Sequence, residues 1–113
     1  MIDVSNVLLL RMILLNKSLE EGNRLFRSNQ YKGASEKYKE AIERLPRMIN
    51  SQGEQEPFGF LRKSLLLNLS RSERRRGELS SAIELAARVI REHPDDSEAF
   101  LTRAKAYRAA GNS

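Results

Sequence analysis

Two stretches of the chain repeat one another at a fixed distance. Gly22–Pro46 reads GNRLFRSNQYKGASEKYKEAIERLP, and Ser70–Pro94 reads SRSERRRGELSSAIELAARVIREHP. Ala34, Tyr38, Ala41 and Pro46 stand opposite Ala82, Ala86, Val89 and Pro94, with an offset of 48 residues at all four positions. A constant offset across small, large, small and proline positions marks an internal repeat. Each copy reads as two short helices folded on one another. One such pair cannot hide its apolar side alone, so pairs must stack. The expected fold class is all-α: antiparallel helix pairs stacked as a short superhelix, about two and a half repeats behind an N-terminal helix. The expected divisions are 15–46 for repeat one, 47–59 for an insertion loop, 60–94 for repeat two and 95–113 for a half repeat.

Taken in order, the chain begins with its most apolar segment, Met1–Leu15, MIDVSNVLLLRMILL. About 20 apolar residues are needed to cross a bilayer, so this run is too short. Asp3 in place of a basic cluster, and no small-residue cleavage site, argue against a signal peptide. The expectation is a helix, capped by Asp3 or Ser5, that covers the first repeat or lies against a neighbour. Lys17–Ser28 is then the first helix of repeat one. Asn29 and Gln30 make the turn, since asparagine tolerates the left-handed backbone nearly as well as glycine. Tyr31–Leu45 is the second helix, with Tyr31, Ala34, Tyr38, Ala41, Ile42 and Leu45 on one stripe at three- and four-residue steps. Pro46 ends it.

After Pro46 the next helix-start position, Lys63, lies seventeen residues on; after Pro94 the matching position, Ser97, lies three on. The first gap therefore carries fourteen extra residues, punctuated by Gly53 and Pro57. Phe60–Arg76 and Leu79–Glu92 form the second pair, closed by Gly77 and by His93-Pro94. Leu79, Ala82, Ile83, Ala86, Val89 and Ile90 are the apolar stripe of the latter. His93 reads as a solvated helix end rather than a ligand. Asp95, Asp96 or Ser97 caps the last helix, Glu98–Ala110. Phe100, Ala104 and Tyr107 are its expected buried face.

At this point the pattern resembles the tetratricopeptide repeat. In repeat one the family's positions are filled by Gly22, Tyr31, Ala34, Tyr38, Ala41 and Pro46. Repeat two keeps Gly77, Ala82 and Pro94 but departs at Ser70, Glu73 and Ala86. The half repeat keeps Phe100, Ala104, Tyr107 and Gly111. Within Ser64–Arg108 the wording is also similar to the repeat region of the TANC/rolling pebbles scaffold proteins, large adaptors, and the long insertion fits that group. The resemblance implies a concave groove lined by the first helix of each pair. Carried onto this sequence, the groove holds Leu19, Asn23, Phe26 and Arg27; then Ser64, Leu67, Asn68, Arg71, Arg74 and Arg75; then Glu98, Leu101, Thr102, Lys105 and Arg108. The middle set steps by three or four residues, which independently puts it on one helix face.

In co-chaperone members of the family, two asparagines and three basic residues hold a peptide's C-terminal carboxylate. Asn23 and Asn68 match the asparagines. Leu19, Glu98 and Thr102 stand at the basic positions, and Glu98 would repel a carboxylate. A standard chaperone-tail clamp is therefore not expected. The expected peptide-binding residues are Asn23, Arg27, Asn68, Arg71, Arg74, Arg75, Lys105 and Arg108. Arginine forks suit carboxylates and phosphates, so the expected partner is an acidic or phosphorylated peptide.

Charge agrees with that choice without requiring it. The 113 residues carry a formal net charge of +5, which favours acidic partners. RNA or another polyanion is the alternative partner for the same basic face. It is disfavoured because the chain has no tryptophan and only Phe26 stands in the expected groove for base stacking. Membrane contact is not expected either. With no cysteine there are no disulfides or thiolate sites, which fits a reducing, cytoplasmic setting. No glycine-rich phosphate loop, metal-ligand cluster or nucleophile–base set is present, so neither an enzyme nor a cofactor is expected. The sequon Asn68-Leu69-Ser70 falls mid-helix and reads as structural.

Overall fold

The computed structural model describes residues 4–45 and 58–111. Five helices occur in that range: α1 Val4–Arg27, α2 Tyr31–Glu43, α3 Phe58–Arg75, α4 Leu79–Glu92 and α5 Ser97–Ala109. Among the described residues there is no strand. The insertion expected after Pro46 lies outside them, and α3 begins at Phe58 rather than Phe60. The turns between α1 and α2 and between α3 and α4 are only three residues long, so each pair must run antiparallel. Both turns use the left-handed region, at Asn29 (φ 63°) and Gly77 (φ 85°).

Neighbours in sequence are neighbours in space. α1 packs on α2, α2 on α3, α3 on α4 and α4 on α5, while α3 also touches α5. The resulting body measures 56 × 33 × 17 Å. Its thin dimension is about two helices deep at the usual 8–10 Å interaxial spacing. The core runs along the seam between the layers: Leu15, Ala34, Tyr38 and Ala41 from the first pair, then Leu65, Leu66, Leu69, Leu85 and Val89 from the second.

The small positions of the repeat are explained by close approach. A Cβ added at Gly22 would lie 2.7 Å from Tyr38 Cε1, so α1 and α2 meet here with no room for a side chain. At the equivalent site in the second pair, Ser70 is buried and its hydroxyl donates to the Ala82 carbonyl at 2.7 Å. Ser70 thus replaces glycine without opening the pair, because the hydroxyl bonds the facing backbone.

The α2–α3 interface is polar at its centre. Ser72 Oγ donates to the Tyr31 carbonyl at 2.8 Å, and Ser35 Oγ lies 2.9 Å from Ser72 Oγ and 3.1 Å from Glu73 Oε2. Glu73, only 3% exposed, also accepts from Arg76 at 3.0 Å and Ser81 at 3.2 Å, with Lys39 Nζ at 3.5 Å. Burial pushes its carboxyl pKa up, but the hydrogen bonds from Arg76 and Ser35 and the charges of Lys39 and Arg76 outweigh this and leave it below the ordinary value. A buried charge persists here because all its neighbours are donors.

Two expectations are corrected. The N-terminal apolar segment is not a separate helix over the first repeat. It is the leading half of α1, and Val7, Leu9, Leu10, Ile13 and Leu14 are exposed. α1 has 24 residues against 13 in α2, so at 1.5 Å per residue it overruns its partner by roughly 16 Å. The second correction is in α5, where Ala99, Thr102 and Ala106 are buried instead of Phe100, Ala104 and Tyr107. α5 presses on α3 and α4. Its Phe100–Tyr107 side corresponds to the side of α1 and α3 that meets their own second helix. The described residues hold no sixth helix to meet it.

Candidate functional site

The side of α1 that carries Gly22 positions the next residue, Asn23, beside the hydroxyl of Tyr38. Tyr38 belongs to the buried stripe of α2 and is 2% exposed, yet its ring is long enough to bring the hydroxyl through to the α1–α3 side. There it donates to Asn23 Oδ1 at 2.6 Å. Asn68 of α3 donates to the same oxygen through Nδ2 at 3.4 Å. Arg71, one turn further along α3, donates from Nη1 to Asn68 Oδ1 at 2.9 Å, and its Nη2 pairs with the Glu98 carboxylate of α5. A relay of hydrogen bonds thus links four helices, α2 to α1 to α3 to α5, and fixes the orientation of both amides.

Around this relay lies a hollow of ≈ 210 Å³, lined by Asn23, Phe26, Arg27, Tyr38, Asn68 and Arg71. Each amide oxygen is already occupied as an acceptor, so what the amides still offer is N–H. Arg27, exposed, adds a guanidinium with no acidic partner among the described residues. Burial pushes the Tyr38 phenol up to about 12, against smaller opposing effects of the Arg27 and Arg71 charges. It is therefore a neutral donor at physiological pH. Phe26 supplies an apolar wall, its ring meeting Tyr31 edge-on at 5.2 Å. A donor-rich, cationic hollow with an apolar side is a place for an acceptor group attached to something partly apolar.

Of the residues expected to bind, Asn23, Arg27, Asn68 and Arg71 come together here, and Phe26 joins them. Arg74, Arg75, Lys105 and Arg108 are not in the wall. The Arg75 guanidinium stacks on the Tyr31 ring at 4.7 Å from its centre. Lys105 and Arg108 are exposed along α5. Leu67 and Thr102, expected in the groove, are buried at 1% and 4% exposure, the latter with its hydroxyl donating to the Glu98 carbonyl at 2.7 Å. Sequence reasoning assigned Tyr38 to the core alone. The signal for its second role was a hydroxyl on an otherwise apolar stripe, which demands a partner when buried.

Among the described residues no group of His, Cys, Asp or Glu could hold a metal ion, and no helix is long and apolar enough to cross a membrane.

Residues 63–107 match the family model described as the tetratricopeptide repeat. The chain is similar to aryl-hydrocarbon-interacting protein-like 1 from Bos taurus, 31% identical over 99 residues, which cover 81% of this chain and 29% of that protein. Proteins of the same name from Saimiri boliviensis boliviensis and Pan paniscus are also 31% identical, with 26% and 25% of their lengths covered. The chain thus spans less than a third of the length of these relatives. No solved structure matches it. Five helices packed in order, with the family's match across α3–α5, make the fold an all-α helical repeat of the tetratricopeptide type.

Proposed function

We propose that the chain is a non-catalytic protein–protein interaction module whose hollow between α1 and α3 takes an acidic or phosphorylated side chain of a partner peptide. Stacked helical repeats present extended concave surfaces, and repeats of this type generally serve protein–protein contact. The observation that carries the reading is that both amide oxygens in the hollow already accept hydrogen bonds, two at Asn23 Oδ1 and one at Asn68 Oδ1. Tyr38, Asn68 and Arg71 spend their bonds on the oxygens of Asn23 and Asn68. The amide hydrogens and the Arg27 guanidinium remain for an incoming carboxylate or phosphate. No nucleophile–base pair lines the hollow, and a phenol raised to about 12 is a poor general base at neutral pH, which supports a binding role over a catalytic one.

The adaptor role, a cytoplasmic setting and the kinship with TANC/rolling pebbles scaffolds belong to the same proposal. RNA binding through the basic face is less well supported. Arg75 is committed to Tyr31, and Arg76 to Glu73, so two of the three consecutive arginines already have partners.

The test is fluorescence anisotropy with a labelled acidic peptide, its serine-substituted neutral counterpart and a single-stranded RNA, against the wild-type chain and Arg27→Glu. Arg27 is exposed in the last turn of α1, so the variant should still fold, at a helix-end cost of about 0.3–1 kcal/mol. Capture of the acidic peptide, lost in Arg27→Glu, supports the proposal. Equal capture of the neutral peptide, or steeply salt-dependent RNA binding without peptide binding, refutes it.

A further inference from the structure

Arg71 is the best-held cation of the hollow, and one of its nitrogens already has an anion on it. Glu98, the second residue of α5, reaches across from the next helix in the stack and pairs with Nη2 while Asn68 Oδ1 holds Nη1. The two partners are held very differently. Arg71 is 30% exposed and sits inside the relay; the Glu98 side chain is 57% exposed and has Arg71 as its sole side-chain partner among the described residues. The neighbouring acid, Asp96, is engaged elsewhere, capping α5 through the Ala99 amide at 3.0 Å and pairing with Lys63 at 2.6 Å.

We infer that Glu98 is a specificity-determining residue: its carboxylate occupies the guanidinium that an arriving acid needs, and so tunes the hollow for a phosphorylated peptide over a merely acidic one. This rests on the reading of the hollow as the acid-binding site. A ligand carboxylate reaching Arg71 meets an equal competitor already in place. Displacing Glu98 exchanges one Arg–carboxylate pair for another, with no net gain at that position, and leaves two like charges close together. A phosphate monoester carries a charge of about −1.5 to −2 and three strong acceptor oxygens. It can displace Glu98 from Arg71 and still reach the amide hydrogens of Asn23 and Asn68. Displacement is easy because the freed Glu98 side chain, already more than half exposed, swings into water.

The probe is one peptide synthesised in two forms, with either phosphoserine or glutamate at the central position among otherwise identical residues. Both are titrated against the wild type, Glu98→Gln, Glu98→Ala and Arg27→Glu, with urea midpoints recorded for each variant. Exposed ion pairs are worth at most about a five-fold change in binding, which sets the scale. The wild type should prefer the phosphoserine form. Glu98→Gln should bind the glutamate form about three- to five-fold tighter, with a smaller gain for phosphoserine, so the preference narrows. Glu98→Ala should behave the same way, which separates loss of charge from loss of a particular shape. If both variants keep the wild-type preference while Arg27→Glu abolishes capture, the role of Glu98 falls and the hollow stands. If Arg27→Glu changes nothing for either peptide, the hollow itself is not the site and both readings fall.

Discussion

Replacing Gly22 by alanine tests the close approach of α1 and α2. The new methyl would lie 2.7 Å from Cε1, 2.8 Å from Cδ1 and 3.1 Å from Cζ of the Tyr38 ring. Carbon atoms rest about 3.5–4.0 Å apart, so the ring or the helix must move by roughly 1 Å. The ring has little freedom to do so, being 2% exposed and tied through its hydroxyl to Asn23 at 2.6 Å. Alanine is worth about 1 kcal/mol over glycine inside a helix. Overpacking costs about 1–3 kcal/mol, and three ring atoms struck together place this case near the upper end. The expected net loss is about 1–2 kcal/mol, measured as the shift in urea unfolding free energy. The same substitution in a Tyr38→Leu background removes the struck ring atoms, and there Gly22→Ala should stabilise by about 1 kcal/mol. The coupling between the two sites is then about 2–3 kcal/mol. Stabilisation by Gly22→Ala with Tyr38 present, or an equal effect in both backgrounds, would refute the claim that α1 and α2 touch at this point.

Asn29 holds φ 63°, so Asn29→Ala should lose about 1–2 kcal/mol in the same unfolding assay while Asn29→Gly stays near the wild type. Glu73 has a pKa below its usual 4.5, so its contribution is fully present above 4.5 and is lost as pH falls through the lower folded value; Glu73→Gln should cost about 1–3 kcal/mol at neutral pH and flatten the acid limb of a stability–pH curve. Leu10 is 59% exposed on the overrunning half of α1, so Leu10→Lys should change the unfolding free energy by less than about 0.5 kcal/mol; a loss of 2 kcal/mol or more would mean that this half is packed.

The sequence exposed what depends on local spacing. The offset between Ala34 and Ala82 announces paired helices, Asn29 announces a left-handed turn, and of the three cap candidates Asp95, Asp96 and Ser97 it is Asp96 that accepts from the Ala99 amide. It was opaque where the outcome depends on register between helices. Ser70 and Glu73 look like departures from the repeat, because a pattern of apolar positions cannot express that one serine bonds a facing carbonyl and one glutamate gathers donors from α2, α4 and the turn between α3 and α4. Leu85 fell off the stripe drawn for α4, yet it is buried because α4 is covered from two sides. The spacing of Phe100, Ala104 and Tyr107 predicts one buried face for α5, but burial follows the contacts with α3 and α4 instead. In the hollow, the meeting of Asn23, Arg27, Asn68 and Arg71 was legible from the repeat. Glu98 was recognised as hostile to a carboxylate. That it pairs with Arg71 depends on the angle between α3 and α5, which no spacing encodes.

The central claim, that the hollow between α1 and α3 receives an acid, is tested most directly by following amide resonances during titration with the phosphoserine peptide. The account predicts that the side-chain amides of Asn23 and Asn68 shift first and saturate together with the Arg27 and Arg71 guanidinium signals, while residues on the outward face of α4 stay still. Shifts confined to α4, or to the apolar leading half of α1, with the two asparagines unmoved, would contradict it.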